Sequence, residues 1–342
     1  MKVTKEQARR FLLAYQGLLP PRSLRGKAGI LSFIRQVNCI QFDPLDIVGH
    51  NPDLVLQARV KGYRREMLRE LLYEERKLLD GWDKLMSIYR VEDWPYFKRW
   101  REAFANHTGR NTETIEAVLP KVRQALQEHG PLSSRELAVG EAVEWDWGWP
   151  ASLSRAALES MYFWGELLIH HRVHTRKYYD FTHRLLDPAL LEAMDPNESE
   201  SAYQEWYVSR RIGCVGMLWN RAGEAWLGMG TIKSPQRKQV IERMLGRGEI
   251  LEVHVEGIRD AFYLRSQDEP RLKEAQVRDE ADQQAAVIAP LDNLLWDRRM
   301  LKELFDFDYR WEGVRAGGET ALRVLRAAGA VWRALHRPFR SG

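Results

Sequence analysis

The chain of 342 residues lacks the features that mark several common protein classes. It has only two cysteines, Cys39 and Cys214, so we expect no disulfide framework and a reducing cytoplasm as its location. No apolar run approaches the roughly 20 residues that a membrane helix needs, and residues 1–7 have no apolar secretory segment. No P-loop, dinucleotide fingerprint or nucleophile elbow is found, so these motifs give no indication of function.

The numbers of positively and negatively charged residues are also nearly equal. The sequence has 52 Lys and Arg against 48 Asp and Glu, which gives a formal net charge of +4. This surplus permits a phosphate-facing surface without demanding one. A hydrophobic content of 44% and a charged content of 29% are typical of soluble globular proteins, and the length is sufficient for two or three domains with real cores.

One short stretch, residues 37–44, organises our interpretation of the chain. Its β-favouring residues follow a helix-like segment, and Pro44 at its end forbids further pairing in a sheet, which predicts a strand. Residues two apart in a strand share a face, so Gln41 and Asp43 are expected to point outwards together, with Phe42 directed to the core. On spacing alone, an edge strand with ordinary polar residues facing solvent is the favoured interpretation.

The same stretch resembles the motif of a known enzyme family. Gln41, an aromatic residue and Asp43, followed by Pro-Leu and then His50-Asn51-Pro52, look like the motif of the YcaQ/AlkX-like DNA glycosylases. These belong to the winged-helix HTH_42 superfamily, which also contains the AlkZ glycosylases, where Gln replaces the Asp. Further blocks that resemble the family are Gly81-Trp82-Asp83-Lys84, Val91-Glu92-Asp93-Trp94-Pro95, Gly165-Glu166-Leu167, Arg176-Lys177-Tyr178-Tyr179-Asp180 and Ala289-Pro290-Leu291-Asp292-Asn293-Leu294-Leu295-Trp296-Asp297-Arg298.

The order of elements predicts an α+β, mainly helical fold of tandem winged-helix units. A helix over 152–168 followed by a basic hairpin over 169–180, the wing, is the clearest signal. Helices over 198–211 and 237–245 with a second hairpin over 250–264 repeat the pattern. The predicted segments are winged-helix unit 1 at 1–107 with the Gln-Phe-Asp motif, winged-helix unit 2 at 108–195, winged-helix unit 3 at 196–285, and a C-terminal segment at 286–342.

The resemblance implies a monofunctional DNA glycosylase that hydrolyses the bond between deoxyribose and N7-alkylated guanine and unhooks interstrand crosslinks. N7 alkylation makes the base a cationic leaving group, so the enzyme has to stabilise the sugar cation and deliver water. By the resemblance, Asp43 activates water or stabilises the oxocarbenium ion, and Gln41 orients the water or sugar. The alternatives are a non-catalytic winged-helix DNA-binding protein and an inactive, truncated family member.

The expected partner is double-stranded DNA with alkylated or crosslinked guanine, bound by a monomer in the cytoplasm at the nucleoid, with no membrane and no cofactor. Basic side chains on the wings and recognition helices would bind phosphates. The candidates are Arg155, Arg172, His174, Arg176, Lys177, Lys233, Arg237 and Lys238. His50 and Asn51, close after the motif, are candidates for lining the cleft. Asp292 and Arg298 are expected to form buried or interdomain ion pairs.

His170, His171 and His174 do not form a convincing metal site. Adjacent histidines on a strand face opposite sides, no Cys or carboxylate completes a set of ligands, and the family resemblance implies no metal. We therefore expect none. Of Tyr178 and Tyr179, which alternate in the predicted wing, at least one is expected in the core.

The sequence changes character after Trp311. The remaining residues are rich in Ala and Arg and contain no Lys or Asp, whereas relatives are expected to continue with a C-terminal β-region. A GC-rich gene read out of frame yields such a composition, so one hypothesis is a frameshift that truncates the β-region. The alternative is a divergent amphipathic helix.

Overall fold

The computed structural model describes residues 1–20, 22–43, 49–106, 112–137, 140, 142–144, 150–230, 232–277, 286–309, 323–327 and 330–334. The chain forms two compact units. The larger unit contains Met1–Arg69, Gly81–Arg90 and Ser199–Gly342, and the smaller unit contains Glu70–Asp80 and Val91–Glu198. The motif at Gln41 belongs to the larger unit, and the predicted wing at 169–180 belongs to the smaller one.

Helices account for most of the regular structure. In chain order they are α1 (Lys5–Tyr15), α2 (Gly26–Val37), α3 (Asn51–Gln57), α4 (Arg65–Tyr73), α5 (Lys98–Ala105), α6 (Thr112–His129), α7 (Leu153–Trp164), α8 (Thr182–Leu185), α9 (Pro188–Glu192), α10 (Glu200–Val215), α11 (Ser234–Gly246), α12 (Glu269–Val277) and α13 (Arg298–Phe305). Within the described part of the chain, no helix is both long and apolar enough to span a membrane.

The strands form small sheets. They are β1 (Lys2–Val3), β2 (Cys39–Gln41), β3 (Leu78–Asp83), β4 (Leu85–Arg90), β5 (Ala142–Glu144), β6 (Pro150–Ser152), β7 (Leu167–Val173), β8 (Arg176–Phe181), β9 (Met217–Trp219), β10 (Ile250–Val255), β11 (Phe262–Arg265), β12 (Arg323–Ala327) and β13 (Ala330–Ala334). One sheet has the order β1-β10-β11-β9 and another β2-β4-β3, and the remaining strands form two-stranded pairs.

Two helices at the start of the larger unit lead to the motif. Helix α1 begins with the capping box that its sequence predicts, in which Thr4 and Gln7 exchange side-chain and backbone hydrogen bonds. Helix α2 continues through Val37, the residue at which the strand was predicted to start, and is followed by Asn38 with φ +63°. Asn tolerates this left-handed conformation better than most residues, so it reverses the chain directly into β2.

Strand β2 is shorter and more buried than the sequence predicts. It contains three residues and pairs antiparallel with β4, with Gln41 opposite Ser87. The next residue, Phe42, still donates its backbone N–H to the carbonyl of Met86, at 2.9 Å. All three residues of β2 are buried, so the expected alternation of an outward and an inward face is wrong here. Pro44 lies outside the described residues.

Buried ion pairs join distant parts of the larger unit. Arg59 and Asp292 form a fully buried pair through two hydrogen bonds of 2.7 and 2.8 Å, which confirms the expected burial of Asp292. Arg298 instead pairs with Glu224 at 3.6 Å on the surface, so the same expectation for Arg298 is wrong. The two cysteines, distant in sequence, are both buried and free, with Sγ atoms 3.7 Å apart.

The smaller unit contains the predicted hairpin and a helix that ends at Trp164, four residues before its predicted end at residue 168, where the hairpin has already begun. Helix α7 begins at Ser152, whose side chain accepts the backbone N–H of Arg155, and ends at Gly165 in the left-handed conformation that glycine adopts easily. Strands β7 and β8 then pair antiparallel, with an irregularity between Ile169 and His171. The hairpin is confirmed, and Tyr179 on it is buried as expected.

The last described elements are β12 and β13, which pair antiparallel with Arg323 opposite Ala334. A helix over these residues is therefore wrong. The frameshift hypothesis remains a prediction, and residues 310–322 and 335–342 lie outside the described part. The fold class is α+β and mainly helical, as predicted, whereas the division into tandem winged-helix units remains a prediction.

Candidate active site

Gln41 is the last residue of β2 and is held at both its backbone and its side chain. Only 5% of the residue is exposed. Its side-chain Oε1 accepts a hydrogen bond from Nζ of Lys84 at 2.8 Å, and its backbone carbonyl accepts one from Nδ2 of Asn51 at 2.7 Å. The prediction that this amide points freely outwards is corrected, because the amide oxygen is already bound within the protein.

Lys84 is the residue that the sequence interpretation missed. It is the single residue between β3 and β4, and it is 4% exposed. Its ammonium lies 4.7 Å from the centroid of the Trp296 ring, a cation–π arrangement. Burial, together with the nearby charge of Arg211, lowers the pKa of Lys84 to about 7, against an ordinary value of 10.5. The block Gly81-Trp82-Asp83-Lys84 was recognised only as part of the family resemblance, and no spacing rule pointed to its lysine.

Asp83, next to Lys84, is occupied by other partners. Its carboxylate accepts hydrogen bonds from Arg210 at 2.6 Å and from Arg211 at 3.0 Å, and all three side chains are buried. Burial would raise the pKa of Asp83, but the two guanidinium groups outweigh it and lower that pKa. Both of its carboxylate oxygens therefore bind guanidinium groups, while the ammonium of Lys84 binds Gln41.

Asp43 follows the motif's aromatic residue and is less buried than Gln41. It is half-buried, whereas Phe42 between them is buried, with its ring stacked against His50 at 6.2 Å between centroids. Asp43 and Gln41 thus lie two residues apart at the end of β2, one partly accessible and one inside. The structure brings both predicted catalytic residues to one place, but with unequal exposure.

Asn51 lies against the motif, and the lining of the cleft by His50 and Asn51 stays a prediction. Besides binding the carbonyl of Gln41, it accepts the backbone N–H of Leu291 on Oδ1 at 3.0 Å. It is buried, so its side chain supports the backbone of β2, and His50 beside it is half-buried. The block at 289–298 therefore meets the motif through Leu291, which donates to Asn51, and through Asn293, whose Nδ2 donates to the carbonyl of Cys39 at 2.8 Å.

Comparison with known proteins identifies the family. Residues 34–333 match a family model described as DNA glycosylase AlkZ-like.

The chain belongs to the AlkZ-like DNA glycosylase family. It is therefore a DNA glycosylase, and the predicted family is confirmed. Among solved structures, the DNA glycosylase AlkZ of Streptomyces sahachiroi is similar, with a TM-score of 0.62 and 15% sequence identity over 97% of this chain and 87% of that one. At that identity the likeness shows a shared fold.

The basic residues predicted for the wing of this AlkZ-like glycosylase differ in accessibility. Arg155 has 59% of its side chain exposed, His174 lies exposed at the turn of the hairpin, and Arg176 is half-buried. Lys177 pairs with Glu159 at 3.3 Å. Arg172, with 8% of its side chain exposed, pairs with Asp80 at 2.7 Å, so its guanidinium is committed to the interior and we withdraw it as a phosphate contact.

The basic residues predicted around α11 of the glycosylase also differ in accessibility. Lys233 is exposed, and Lys238 has 72% of its side chain exposed while its ammonium lies 3.9 Å from Glu242. Arg237 is buried, and its guanidinium binds Asn220, the carbonyl of Ile232 and the hydroxyl of Ser234. We withdraw Arg237 as well, because these bonds leave it in the core.

The histidine pair on β7 departs from the expected geometry. The irregularity between Ile169 and His171 brings the Nδ1 atoms of His170 and His171 within 2.8 Å, so the two rings do not face opposite sides as predicted. Burial lowers the pKa of both rings, which favours their neutral forms. In the described part of the chain, no group of three or more His, Cys, Asp or Glu residues is arranged to hold a metal ion.

Proposed function

We propose that this glycosylase hydrolyses the N-glycosidic bond of N7-alkylated guanine in double-stranded DNA, including guanines joined in interstrand crosslinks. The observation that supports this is a partly accessible carboxylate, Asp43, two residues from a buried amide, Gln41, that is fixed by a lysine. No further acid is required at the base, because N7 alkylation already gives it a positive charge.

In the proposed reaction the bond between C1′ and N9 breaks, and its electron pair neutralises the cationic base. Water adds to C1′, and Asp43 accepts the proton that this water loses. Before it accepts this proton, the negative charge of Asp43 stabilises the positive charge that develops on the sugar. Gln41 orients the water or the sugar. Since an ammonium or amine N–H of Lys84 occupies Oε1, the amide N–H groups are the part of Gln41 that can donate to an oxygen.

Phosphate contacts are proposed for the basic residues that are exposed or half-buried. These are Arg155, His174 and Arg176 in the smaller unit, and Lys233 and Lys238 in the larger unit. Glu159 binds both Arg155 and Lys177 at 3.3 Å, and Lys177 is kept as a weaker candidate because only 19% of its side chain is exposed. Such contacts give affinity for the DNA backbone with little reading of sequence, which suits an enzyme that recognises damage.

Base release from defined duplexes tests the substrate class. The protein is incubated with matched duplexes containing N7-methylguanine, an N7–N7 guanine crosslink, or no lesion, and released bases are measured by mass spectrometry. We expect release from the first two duplexes and none from the third. Binding of all three duplexes without release from either lesion would contradict the proposal and would favour a non-catalytic DNA-binding protein.

A further inference from the structure

A buried lysine, Lys84, lies at the turn between β3 and β4. Lysine is almost never fully buried unless it is paired, yet Lys84 is 4% exposed. Within the described part of the chain, no carboxylate pairs with Lys84, and the adjacent Asp83 is taken by Arg210 and Arg211. The polar partner of Lys84 is therefore a neutral group, the amide of Gln41.

The position of Lys84 is fixed from several sides. Its carbonyl accepts the hydroxyl of Ser87 at 3.1 Å, and its ammonium lies over the Trp296 ring. The loop at Gly228 packs directly on the turn: its φ is +84°, and a Cβ there would overlap the carbonyl oxygen of Asp83. These contacts support the turn from several sides, and the ammonium already lies beside Gln41 in the protein without substrate.

The partner of this fixed ammonium is the motif's amide. In its ammonium form Lys84 carries only donors, so it selects the oxygen end of the amide and determines which way the group is turned; in its amine form it still donates an N–H to Oε1 in the observed orientation. The 2.8 Å bond to Oε1 therefore sets the orientation of Gln41, while Asn51 fixes its backbone. Without Lys84, the amide could rotate by half a turn and present its oxygen where its N–H groups now lie.

We propose that Lys84 is a positioning residue for the glycosylase reaction, which acts by holding the amide of Gln41 with its N–H groups directed to the reacting water or sugar. The inference rests on the proposed role of Gln41 in the reaction. Lys84 itself does not touch the substrate. Its contribution is made through Gln41, so it should vanish when that amide is absent.

A double-mutant cycle tests this dependence. Single-turnover release of N7-methylguanine is measured for the wild type, Lys84→Met, Gln41→Ala and the double variant, with DNA affinity measured in parallel. A hydrogen bond to a charged group corresponds to about a 10- to 100-fold change in rate. We expect Lys84→Met to slow release by this factor at unchanged DNA affinity. In the Gln41→Ala background, we expect Lys84→Met to slow release by less than a further factor of about 2.

The exposed Lys302 on α13 provides the matched control, because Lys302→Met also removes one positive charge and should leave the rate unchanged. Should Lys84→Met not fold, as judged by circular dichroism, the same cycle is run with Lys84→Gln. Wild-type rates in the folded Lys84 variant, or the same loss in both backgrounds, would overturn the positioning role.

The two proposals fail in distinguishable ways. If Gln41→Ala keeps the wild-type rate, the proposed role of Gln41 fails first. If Gln41→Ala releases the base slowly, and Lys84→Met lowers the release rate by the same factor with or without Gln41, only the inference about Lys84 fails. A borohydride-trapped covalent complex between abasic DNA and the wild type, absent in Lys84→Met, would show that Lys84 is a nucleophile and would also overturn it.

Discussion

Relative to Lys84→Met, the wild type should gain stability as the pH rises from neutral. In the folded protein, burial lowers the pKa of Lys84 to about 7, whereas the unfolded chain keeps the ordinary value of 10.5. Between these pH values the unfolded state binds the extra proton, so the stability of the wild type rises with pH. In Lys84→Met no side chain at position 84 binds a proton, so the stability of this variant does not rise with pH for this reason.

The magnitude follows from the two pKa values. Each pH unit in this window contributes about 1.4 kcal/mol where the folded lysine is neutral and the unfolded one charged. Because the folded lysine is still half-protonated near pH 7, the wild type should gain about 2 kcal/mol relative to Lys84→Met between about pH 7 and pH 9. Other groups titrate in both proteins and cancel in the difference.

Urea unfolding of both proteins, followed by circular dichroism at several pH values, gives the free energies of unfolding to compare. The larger unit contains Lys84, so the free energies to compare are those of the unfolding transition assigned to that unit. A pH-independent difference between the two proteins would refute the reasoning, since it would mean that Lys84 has the same pKa folded and unfolded.

Further predictions concern buried pairs and phosphate contacts. Asp292→Ala should lower the free energy of unfolding by about 3–5 kcal/mol, because it leaves Arg59 as an unpaired buried charge, and adding Arg59→Met should restore part of it; no recovery in urea unfolding would contradict this. Lys238→Ala should weaken DNA binding and reduce the slope of log affinity against log salt by about 1, as a lost phosphate contact does. Arg172→Ala should leave that slope unchanged and destabilise the smaller unit by stranding Asp80, and a changed slope in a folded variant would restore Arg172 as a DNA contact.

Local rules predicted much of the fold. The capping box at Thr4 and Gln7, the apolar face of α1, and the helix and hairpin from Leu153 to Phe181 depend on neighbouring residues, and each was found. The strand at Gln41 was placed correctly but given too much length and an open face. Its burial depends on the β3–β4 turn and the block near Trp296, which no local period reveals.

The candidate site was predicted in part for the same reason. Family resemblance supplied Gln41 and Asp43, but the lysine that holds the amide comes from a segment 43 residues away in the chain. Charge alone also failed to separate exposed basic residues from buried ones. Arg172 and Arg237 look like Arg155 in the sequence, and only the partners Asp80, Asn220 and Ser234 show that they serve packing.

The role of Asp43 is the central claim, and one measurement tests it most directly: the single-turnover rate of N7-methylguanine release by Asp43→Asn. Glu303→Gln, which changes an exposed carboxylate on α13, is the matched control. Loss of general-base and charge stabilisation predicts a rate about 100-fold or more below wild type for Asp43→Asn at unchanged DNA affinity, and a wild-type rate for the control. Release by folded Asp43→Asn at the wild-type rate would contradict the account.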